Sequence, residues 1–171
     1  YLISSKRLAI YNQQNGQIQY KEIPFNYSRL NCILSLGKDT IGIGTSNGII
    51  LFFAQNNQFR NVEMHFNVMR IFEDSHNELW LFSKEQRGIV RYDPLTNEQQ
   101  HYETPTQNMP KAELRSRDVI FEDNQGTLWV VPHLGCLSYY DREDKELKPY
   151  YTDYSKPESK FTPVILNFYV D

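Results

Sequence analysis

The sequence has few cysteines, little net charge and no long apolar run, and each shortage excludes a class of protein. Two cysteines in 171 residues cannot form a disulfide framework, so Cys32 and Cys136 are expected to be small buried side chains too far apart to bridge. A net charge of −3 gives no basic surface for nucleic acid or an anionic membrane. No apolar run approaches the roughly 20 residues that span a bilayer.

The chain contains an internal repeat. The sequence Ile-Phe-Glu-Asp, separated by four residues from Leu-Trp, occurs at 71–80 and again at 120–129, an ungapped shift of 49 positions. A weaker copy lies 38 positions before the first of these, with Gly42 in place of the tryptophan, and Phe168–Asp171 begins another copy. A period of about 40 to 50 residues indicates that one supersecondary unit is stacked several times.

Short apolar runs alternate with turns inside each copy. The runs are rich in Ile, Val, Phe, Tyr and Trp, and they are too short and too often interrupted to sustain a helical period. Each copy is therefore predicted to form four antiparallel strands.

Residues that tolerate a positive φ recur at two turn positions of the repeat, which predicts tight hairpins there. The position between the first and second strands holds Asp39, Asn77 and Gly126. The position between the third and fourth strands holds Gly16, Asn57 and Asn97. In the last copy two alignments stay open, and they place either Asp144 or Lys145 at that position.

Four-stranded units at this period are typical of β-propeller blades, in which radial repetition covers the strand edges. We therefore predict an all-β fold with about four blades' worth of strands. Strands two to four of a blade are assigned to 1–25, complete blades to 30–62, 68–103 and 117–154, and a lone first strand to 162–171.

The repeat motif, followed by Gly-Ile-Val-Arg-Tyr-Asp-Pro at Gly88–Pro94, resembles the two-component regulator propeller repeat. The resemblance is specific at Ile71–Pro94 and Ile120–Asp141 and weaker at Ile33–Phe53. It implies an incomplete segment of a seven-bladed propeller in the periplasmic sensor region of a Bacteroides-type hybrid two-component system histidine kinase, anchored in the inner membrane. It supplies no ligand residues, because the motif is structural.

The repeated side chains are expected to hold the fold. Trp80 and Trp129 occupy one position in two copies, so we interpret them as buried wedges between blades. Asp74, Asp123 and Asp171 each begin a hairpin, where an Asx turn accounts for the residue type. The four histidines lack metal-ligand spacing, and no nucleophile and base pair or phosphate-binding glycine loop is apparent. No catalytic residue, metal or cofactor is predicted.

Polar and basic residues concentrate in the loops that join second to third strands and fourth strands to the next blade. Irregular loops on a rigid scaffold commonly bind ligands, and guanidinium groups suit anionic or hydroxyl-rich ones. Solvated surface charge is the alternative interpretation. The candidate ligand-binding residues are Arg29, His65, Lys84, Gln86, Arg87, Arg115, Arg117 and His133.

The favoured hypothesis is a non-enzymatic sensor segment that binds an oligosaccharide or polysaccharide, or relays its binding, in a dimeric receptor that controls glycan-use genes. A propeller lyase or hydrolase is one alternative, and a structural propeller that docks other protein domains is the second. Strand edges left unpaired at 1–25 and 162–171 are expected to pair with another chain or further blades, rather than with each other in a small ring.

Overall fold

The computed structural model describes residues 1–4, 6–37, 39–83, 88–103, 119–131 and 137–150. Within these residues the chain forms strands and turns, and no helix. The strands make four antiparallel sheets, three of four strands and one of three, and each sheet keeps its strands in chain order. The prediction of an all-β fold built from blade-like sheets is confirmed.

The four sheets are named blades 1 to 4 in chain order. Blade 1 comprises β1 (Leu2–Ser4), β2 (Arg7–Tyr11) and β3 (Ile18–Glu22). Blade 2 comprises β4 (Leu30–Leu36), β5 (Thr40–Thr45), β6 (Gly48–Phe53) and β7 (Gln58–Glu63). Blade 3 comprises β8 (Arg70–Glu73), β9 (Leu79–Phe82), β10 (Ile89–Tyr92) and β11 (Gln99–Tyr102). Blade 4 comprises β12 (Val119–Glu122), β13 (Leu128–Val131), β14 (Ser138–Asp141) and β15 (Glu146–Pro149).

Each blade has two ends, because successive turns of an antiparallel sheet alternate between them. The hairpin end carries the turns from first to second strand and from third to fourth strand. The loop end carries the turn from second to third strand and the connection to the next blade. The predicted ligand-binding loops belong to the loop end, and the repeated aspartates belong to the hairpin end.

The hairpin turns have the backbone conformation that the sequence predicts. Between first and second strands, φ is 61° at Asn77 and 79° at Gly126. Between third and fourth strands, φ is 70°, 58° and 64° at Gly16, Asn57 and Asn97. In blade 4, φ is 54° at Lys145, so the alignment that places this residue in the turn is the correct one.

One turn prediction is wrong. Between β4 and β5 the positive φ falls on Gly37, at 55°, instead of on Asp39. Only three residues, 37–39, connect β4 to β5, whereas five residues, 74–78, connect β8 to β9, so the turn is tighter and its positive φ lies nearer to β4. Asp39 instead accepts hydrogen bonds at the same hairpin end, from the backbone N–H of Ala54 at 2.7 Å and from the side chain of Gln55 at 2.8 Å.

The chain comprises two compact units, Tyr1–Ile71 and Phe72–Asp171. In the first unit, one face of blade 1 packs with one face of blade 2 in a single hydrophobic cluster. We call the blade face that packs against the following blade its forward face, and the face that packs against the preceding blade its rear face. The forward face of blade 1 contributes Ile3, Leu8 and Ile10. The rear face of blade 2 contributes Ile41, Ile43, Ile50 and Phe52.

The second unit repeats this packing with larger side chains. The forward face of blade 3 contributes Trp80, Phe82, Ile89 and Tyr102. The rear face of blade 4 contributes Ile120, Leu128, Val130, Tyr140 and Leu147. Trp80 is completely buried, whereas Trp129, at the same position in blade 4, is only half-buried. The two rings thus occupy equivalent positions with different degrees of burial, and Trp129 contacts the rings of Phe121, Tyr139 and Tyr150 within its own blade.

Blade 2 has Gly42 at the tryptophan position because neighbouring side chains fill the space. A Cβ at Gly42 would lie 3.0 Å from Leu36 Cδ1 and 3.4 Å from Ile71 Cδ1. A Cβ at Gly44 would lie 2.5 Å from the thiol of Cys32, which belongs to β4. Burial raises the pKa of the Cys32 thiol. Cys136, Asp171 and the predicted strand at 162–171 lie outside the described residues.

Candidate functional site

The aspartate and tryptophan of the repeat motif are bound to each other at the hairpin end. In blade 3, Asp74 Oδ1 accepts the backbone N–H groups of His76 and Glu78, both at 2.9 Å, which is the Asx turn that the sequence indicated. Its Oδ2 accepts the indole N–H of Trp80 at 2.9 Å. One carboxylate therefore closes the hairpin and orients the ring that fills the interface between blades.

Blade 4 repeats this arrangement. Asp123 Oδ1 accepts the backbone N–H groups of Gln125 and Thr127 at 2.9 Å, and Oδ2 accepts the indole N–H of Trp129 at 2.8 Å. The bond from Trp129, followed by those from the turn, lowers the pKa of the Asp123 carboxyl. In both aspartates Oδ1 holds the turn and Oδ2 holds the indole, which accounts for the residue type at this position.

A single arginine joins the hairpin ends of blades 3 and 4. Arg142, in the turn after β14, donates to Asp74 at 3.0 Å and to Glu78 and Glu122 at 3.3 Å. Glu122 also accepts from the backbone N–H and hydroxyl of Ser75, both at 2.7 Å. The Asp74 side chain is inaccessible to solvent, and that of Arg142 is 27% exposed. Charge on three carboxylates from two blades is thereby compensated by one guanidinium.

A polar cluster continues from this network into the interface. Arg91 pairs with Glu78 at 3.4 Å and donates to the Tyr140 hydroxyl at 3.4 Å. The hydroxyls of Tyr140 and Tyr102 lie 3.0 Å apart, and burial together with this hydrogen bond raises the pKa of Tyr102. The Tyr140 ring packs edge-on against Trp80 with centroids 4.7 Å apart. Because the polar groups of this cluster bond to one another, we assign the cluster to the scaffold. The candidate binding site is therefore the loop end.

The loop end of the first unit is built around the turn Ser46–Asn47, between β5 and β6. The backbone N–H of Ser46 donates to the carbonyl of Arg29 at 3.0 Å. The Ser46 hydroxyl accepts from the backbone N–H of Ser28 at 3.1 Å. These two bonds fix the loop that joins blades 1 and 2 against the turn.

The loop after β7 is fixed to the other side of the same turn. The backbone N–H of Met64 donates to the carbonyl of Asn47, and that of Val68 donates to the carbonyl of Thr45, both at 2.9 Å. The Asn31 side-chain amide donates to the Val68 carbonyl at 2.8 Å. Three chain segments therefore form one hydrogen-bonded platform at the loop end.

Two of the predicted ligand-binding residues project from this platform. Arg29 and His65 are both exposed, and each neighbours a backbone group bonded to the Ser46–Asn47 turn. The remaining candidates lie outside the described residues; they are Lys84, Gln86, Arg87, Arg115, Arg117 and His133. Arg29 and His65 therefore lie on exposed loops at the loop end of the first unit, and their role in binding, like the rest of the candidate set, stays a prediction.

Sequence reasoning missed Ser46, Asn47 and Asn31 as the residues that hold this surface together. A serine and an asparagine in a turn between apolar strands are common, so their residue types alone carried no signal. Arg142 was not predicted either. Pro94 occupies the equivalent position of blade 3, and only residues that recur in both copies stand out as part of the motif.

The turn tolerates no side chain at Gly48, so an alanine there should destabilise the protein. Gly48 has a φ of 138°, and a Cβ would lie 2.1 Å from the Val62 carbonyl oxygen. Gly16, with a φ of 70° and no atom within 4 Å of its Cβ position, is the matched control. Gly16→Ala should cost about 1–2 kcal/mol from backbone strain alone, and Gly48→Ala should cost more. Urea denaturation measures both, and equal losses would contradict the steric argument.

No protein-family model and no curated protein sequence matches the chain. Solved structures do match its fold. The extracellular domain of a hybrid two-component system from B. thetaiotaomicron aligns with 77% of this chain and 17% of its own length, at 24% identity and a TM-score of 0.53. The extracellular domain of a one-component system from the same organism aligns with 97% of this chain and 22% of its own length, at 17% identity and a TM-score of 0.62.

A third similar structure is an enzyme. A catalytically inactive variant of virginiamycin B lyase from Staphylococcus aureus, crystallised with quinupristin, aligns with 83% of this chain and 47% of its own length, at 14% identity and a TM-score of 0.61. This chain therefore spans less than half the length of each of these three proteins. The described residues contain no helix with the length and hydropathy needed to cross a membrane. At these identities the comparisons show the fold alone, antiparallel sheets of the β-propeller-like kind that are also found in extracellular domains of Bacteroides signalling systems.

Proposed function

We propose that the chain is a segment of the extracytoplasmic sensor region of a hybrid two-component system histidine kinase. The repeat motif at 71–94 and 120–141 supports this proposal, and so does the fold shared with extracellular domains of Bacteroides two-component systems. In this proposal the segment lies in the periplasm, and the membrane helix and kinase belong to other parts of a dimeric receptor.

The observation that carries a binding role is the platform around Ser46–Asn47. It presents exposed Arg29 and His65 on loops fixed by backbone hydrogen bonds. A loop that is already fixed loses little conformational entropy when it binds a ligand. Guanidinium and imidazole groups donate hydrogen bonds to sugar hydroxyls and pair with carboxylates of acidic sugars. We therefore assign an oligosaccharide, or a polysaccharide fragment, to the loop end.

The proposal is tested by calorimetric titration of the receptor's complete extracellular region with a panel of neutral and uronic-acid oligosaccharides. Arg29→Ala should weaken binding of the responsive sugar about tenfold or more, the loss expected for a charge-assisted hydrogen bond, and His65→Ala should weaken it less. Lys145→Asn is the matched control, since it removes a positive charge at the hairpin end while asparagine tolerates the positive φ found there.

Three outcomes would contradict the proposal. Unchanged affinity in Arg29→Ala and His65→Ala would remove the platform from the binding site. Release of shortened or unsaturated sugar products during the titration, followed by chromatography, would instead identify an enzyme. Absence of binding to every sugar in the panel, with protein ligands captured at the loop end, would favour the structural docking role.

A further inference from the structure

Two asparagines in the chain are followed by glycine, Asn15 before Gly16 and Asn47 before Gly48. Asparagine is a labile residue, and a following glycine favours loss of the side-chain amide because no Cβ hinders the attacking backbone nitrogen. Both asparagines are exposed and lie in turns. The sequence therefore gives the two pairs the same intrinsic reactivity, and a difference between them must come from the fold.

The reaction requires only water. The backbone nitrogen of the glycine loses its proton and attacks Cγ of the asparagine. The bond from nitrogen to Cγ forms, the bond from Cγ to Nδ2 breaks, and ammonia leaves with the proton. Water then opens the cyclic imide. Cleavage at Cγ gives aspartate, and cleavage at the main-chain carbonyl gives isoaspartate, whose backbone is longer by a methylene. Either product carries a new negative charge.

The side chains of the two asparagines are held in similar ways. Asn15 Oδ1 accepts the backbone N–H of Gln17 at 3.0 Å. Asn47 Oδ1 accepts from the hydroxyls of Thr45 and Ser46 at 3.3 and 3.4 Å. A hydrogen bond to Oδ1 polarises the side-chain carbonyl toward attack in both turns. Activation of the side chain therefore does not distinguish the two sites.

The backbone at Gly48 is locked. Ring closure needs the peptide between Asn47 and Gly48 to rotate until its nitrogen faces Cγ. The carbonyl of this peptide accepts the backbone N–H of Met64 at 2.9 Å. Gly48 is buried, and a Cβ there would lie 2.1 Å from the Val62 carbonyl oxygen, so β7 leaves no room for this rotation. The platform must open before Asn47 can react.

The backbone at Gly16 is open. Its N–H donates to the carbonyl of Asn12 at 2.9 Å, and among the described residues no atom lies within 4 Å of its Cβ position. Every residue of the turn 12–17 is exposed. Hydrogen bonds exposed to solvent open at a small cost in free energy. The peptide between Asn15 and Gly16 can therefore rotate without disturbing the packed part of blade 1.

We propose that Asn15 is a site of spontaneous deamidation in the folded protein, and that the platform protects Asn47 from the same reaction. The product places a negative charge, and in the isoaspartate form a longer backbone, in the turn between β2 and β3. The inference concerns residues of this chain alone, so it is independent of the proposed ligand and of the proposed receptor.

The experiment is peptide mapping by mass spectrometry of the full-length protein during incubation in mildly alkaline buffer, which favours the deprotonated nitrogen. Conversion is measured from the mass difference between amide and carboxylate, and electron-transfer fragmentation identifies isoaspartate. Asn15 should convert at least about tenfold faster than Asn47, because opening of the platform adds a free-energy cost at Asn47 alone. Equal rates, or faster conversion at Asn47, would overturn the proposal.

The urea-denatured protein provides the baseline, and there the two asparagines should convert at similar rates. A difference that persists in urea would assign the effect to sequence instead of fold and overturn the proposal. Failure of Asn15 to convert in the folded protein, under conditions in which it converts in urea, would overturn it as well.

Asn12 is the control for the following residue. It lies in the same exposed turn, and its Oδ1 accepts the backbone N–H of Gln14 at 2.9 Å, but the next residue is Gln13. Asn12 should convert much more slowly than Asn15. Equal rates at Asn12 and Asn15 would contradict a route through the imide.

Ser46→Ala tests the protection directly. The substitution removes the hydroxyl that accepts the backbone N–H of Ser28 and donates to Asn47. Conversion at Asn47 should rise several-fold, while conversion at Asn15 stays the same. An unchanged rate at Asn47 would contradict protection by the platform.

Discussion

Replacing Trp80 with alanine should lower the free energy of unfolding by about 3–5 kcal/mol, the range for removing a large aromatic side chain from a packed core. The ring is completely buried between blades 3 and 4 and contacts Tyr102 and Tyr140 at centroid distances of 5.8 and 4.7 Å. Its removal also leaves Asp74 without the indole donor. Chemical denaturation followed by tyrosine fluorescence or circular dichroism measures the loss.

The matched control is Trp129→Ala. This tryptophan has the same motif position and the same bond to an aspartate, but it is half-buried. The loss should be less than about half of that at Trp80, because the cost of a cavity scales with the contacts that surround it. Equal losses at both positions would show that the motif stabilises each blade internally and that burial between blades contributes little.

Replacing Asp74 with alanine should cost about 3–5 kcal/mol, because several polar groups lose their acceptor in a site closed to solvent. Two backbone N–H groups of the hairpin, the Trp80 indole and the guanidinium of Arg142 all donate to this carboxylate. Thermal or urea unfolding measures the effect.

Asp123→Ala serves as the comparison, since Asp123 makes the same turn and indole bonds on a half-buried carboxylate. Its loss should be about 1–2 kcal/mol. A cycle that adds Arg142→Met should recover part of the Asp74→Ala loss, with a coupling of about 1–2 kcal/mol. Additive losses in the cycle would mean that the arginine does not interact energetically with Asp74.

The fold was predictable because its determinants are local and repeated. Four runs of β-forming residues and two turn positions per copy place the strands and hairpins, and Gly16, Asn57 and Asn97 have the expected conformation. The failure at Asp39 has a local cause, since the shorter turn between β4 and β5 has its positive φ at Gly37. The difference in burial between Trp80 and Trp129 has no counterpart in the local pattern, because both residues have the same neighbours in the motif.

The hydrogen bond between aspartate and tryptophan had a signal in the sequence, namely the constant spacing of the two residues. Asp74 precedes Trp80 by six positions, and Asp123 precedes Trp129 by six. In blade 2 both partners are absent together, as Leu36 and Gly42 occupy the two positions. Leu36 also fills the space at Gly42, which is why the pair is lost as a unit.

The candidate site was less predictable than the fold. Exposed Arg29 and His65 were assigned to one end of the blades from loop order alone. The platform beneath them depends on backbone hydrogen bonds between segments separated in sequence, such as that from Ser46 to Arg29. Backbone hydrogen bonds of this kind depend on loop conformation and not on residue type, so no sequence pattern predicts them.

Arg142 has no equivalent in blade 3, and this difference helps the chain avoid misassembly as it folds. Blades with similar sequences can exchange neighbours during folding, a characteristic failure of repeat proteins. Blade 4 reaches three carboxylates through Arg142, and blade 3 has Pro94 at the equivalent position. A blade without this arginine, placed wrongly beside blade 3, would leave the buried Asp74 carboxylate without its cation, at a cost that favours the correct partner over similar ones. One charged side chain therefore distinguishes blade 4 from similar blades as the neighbour of blade 3.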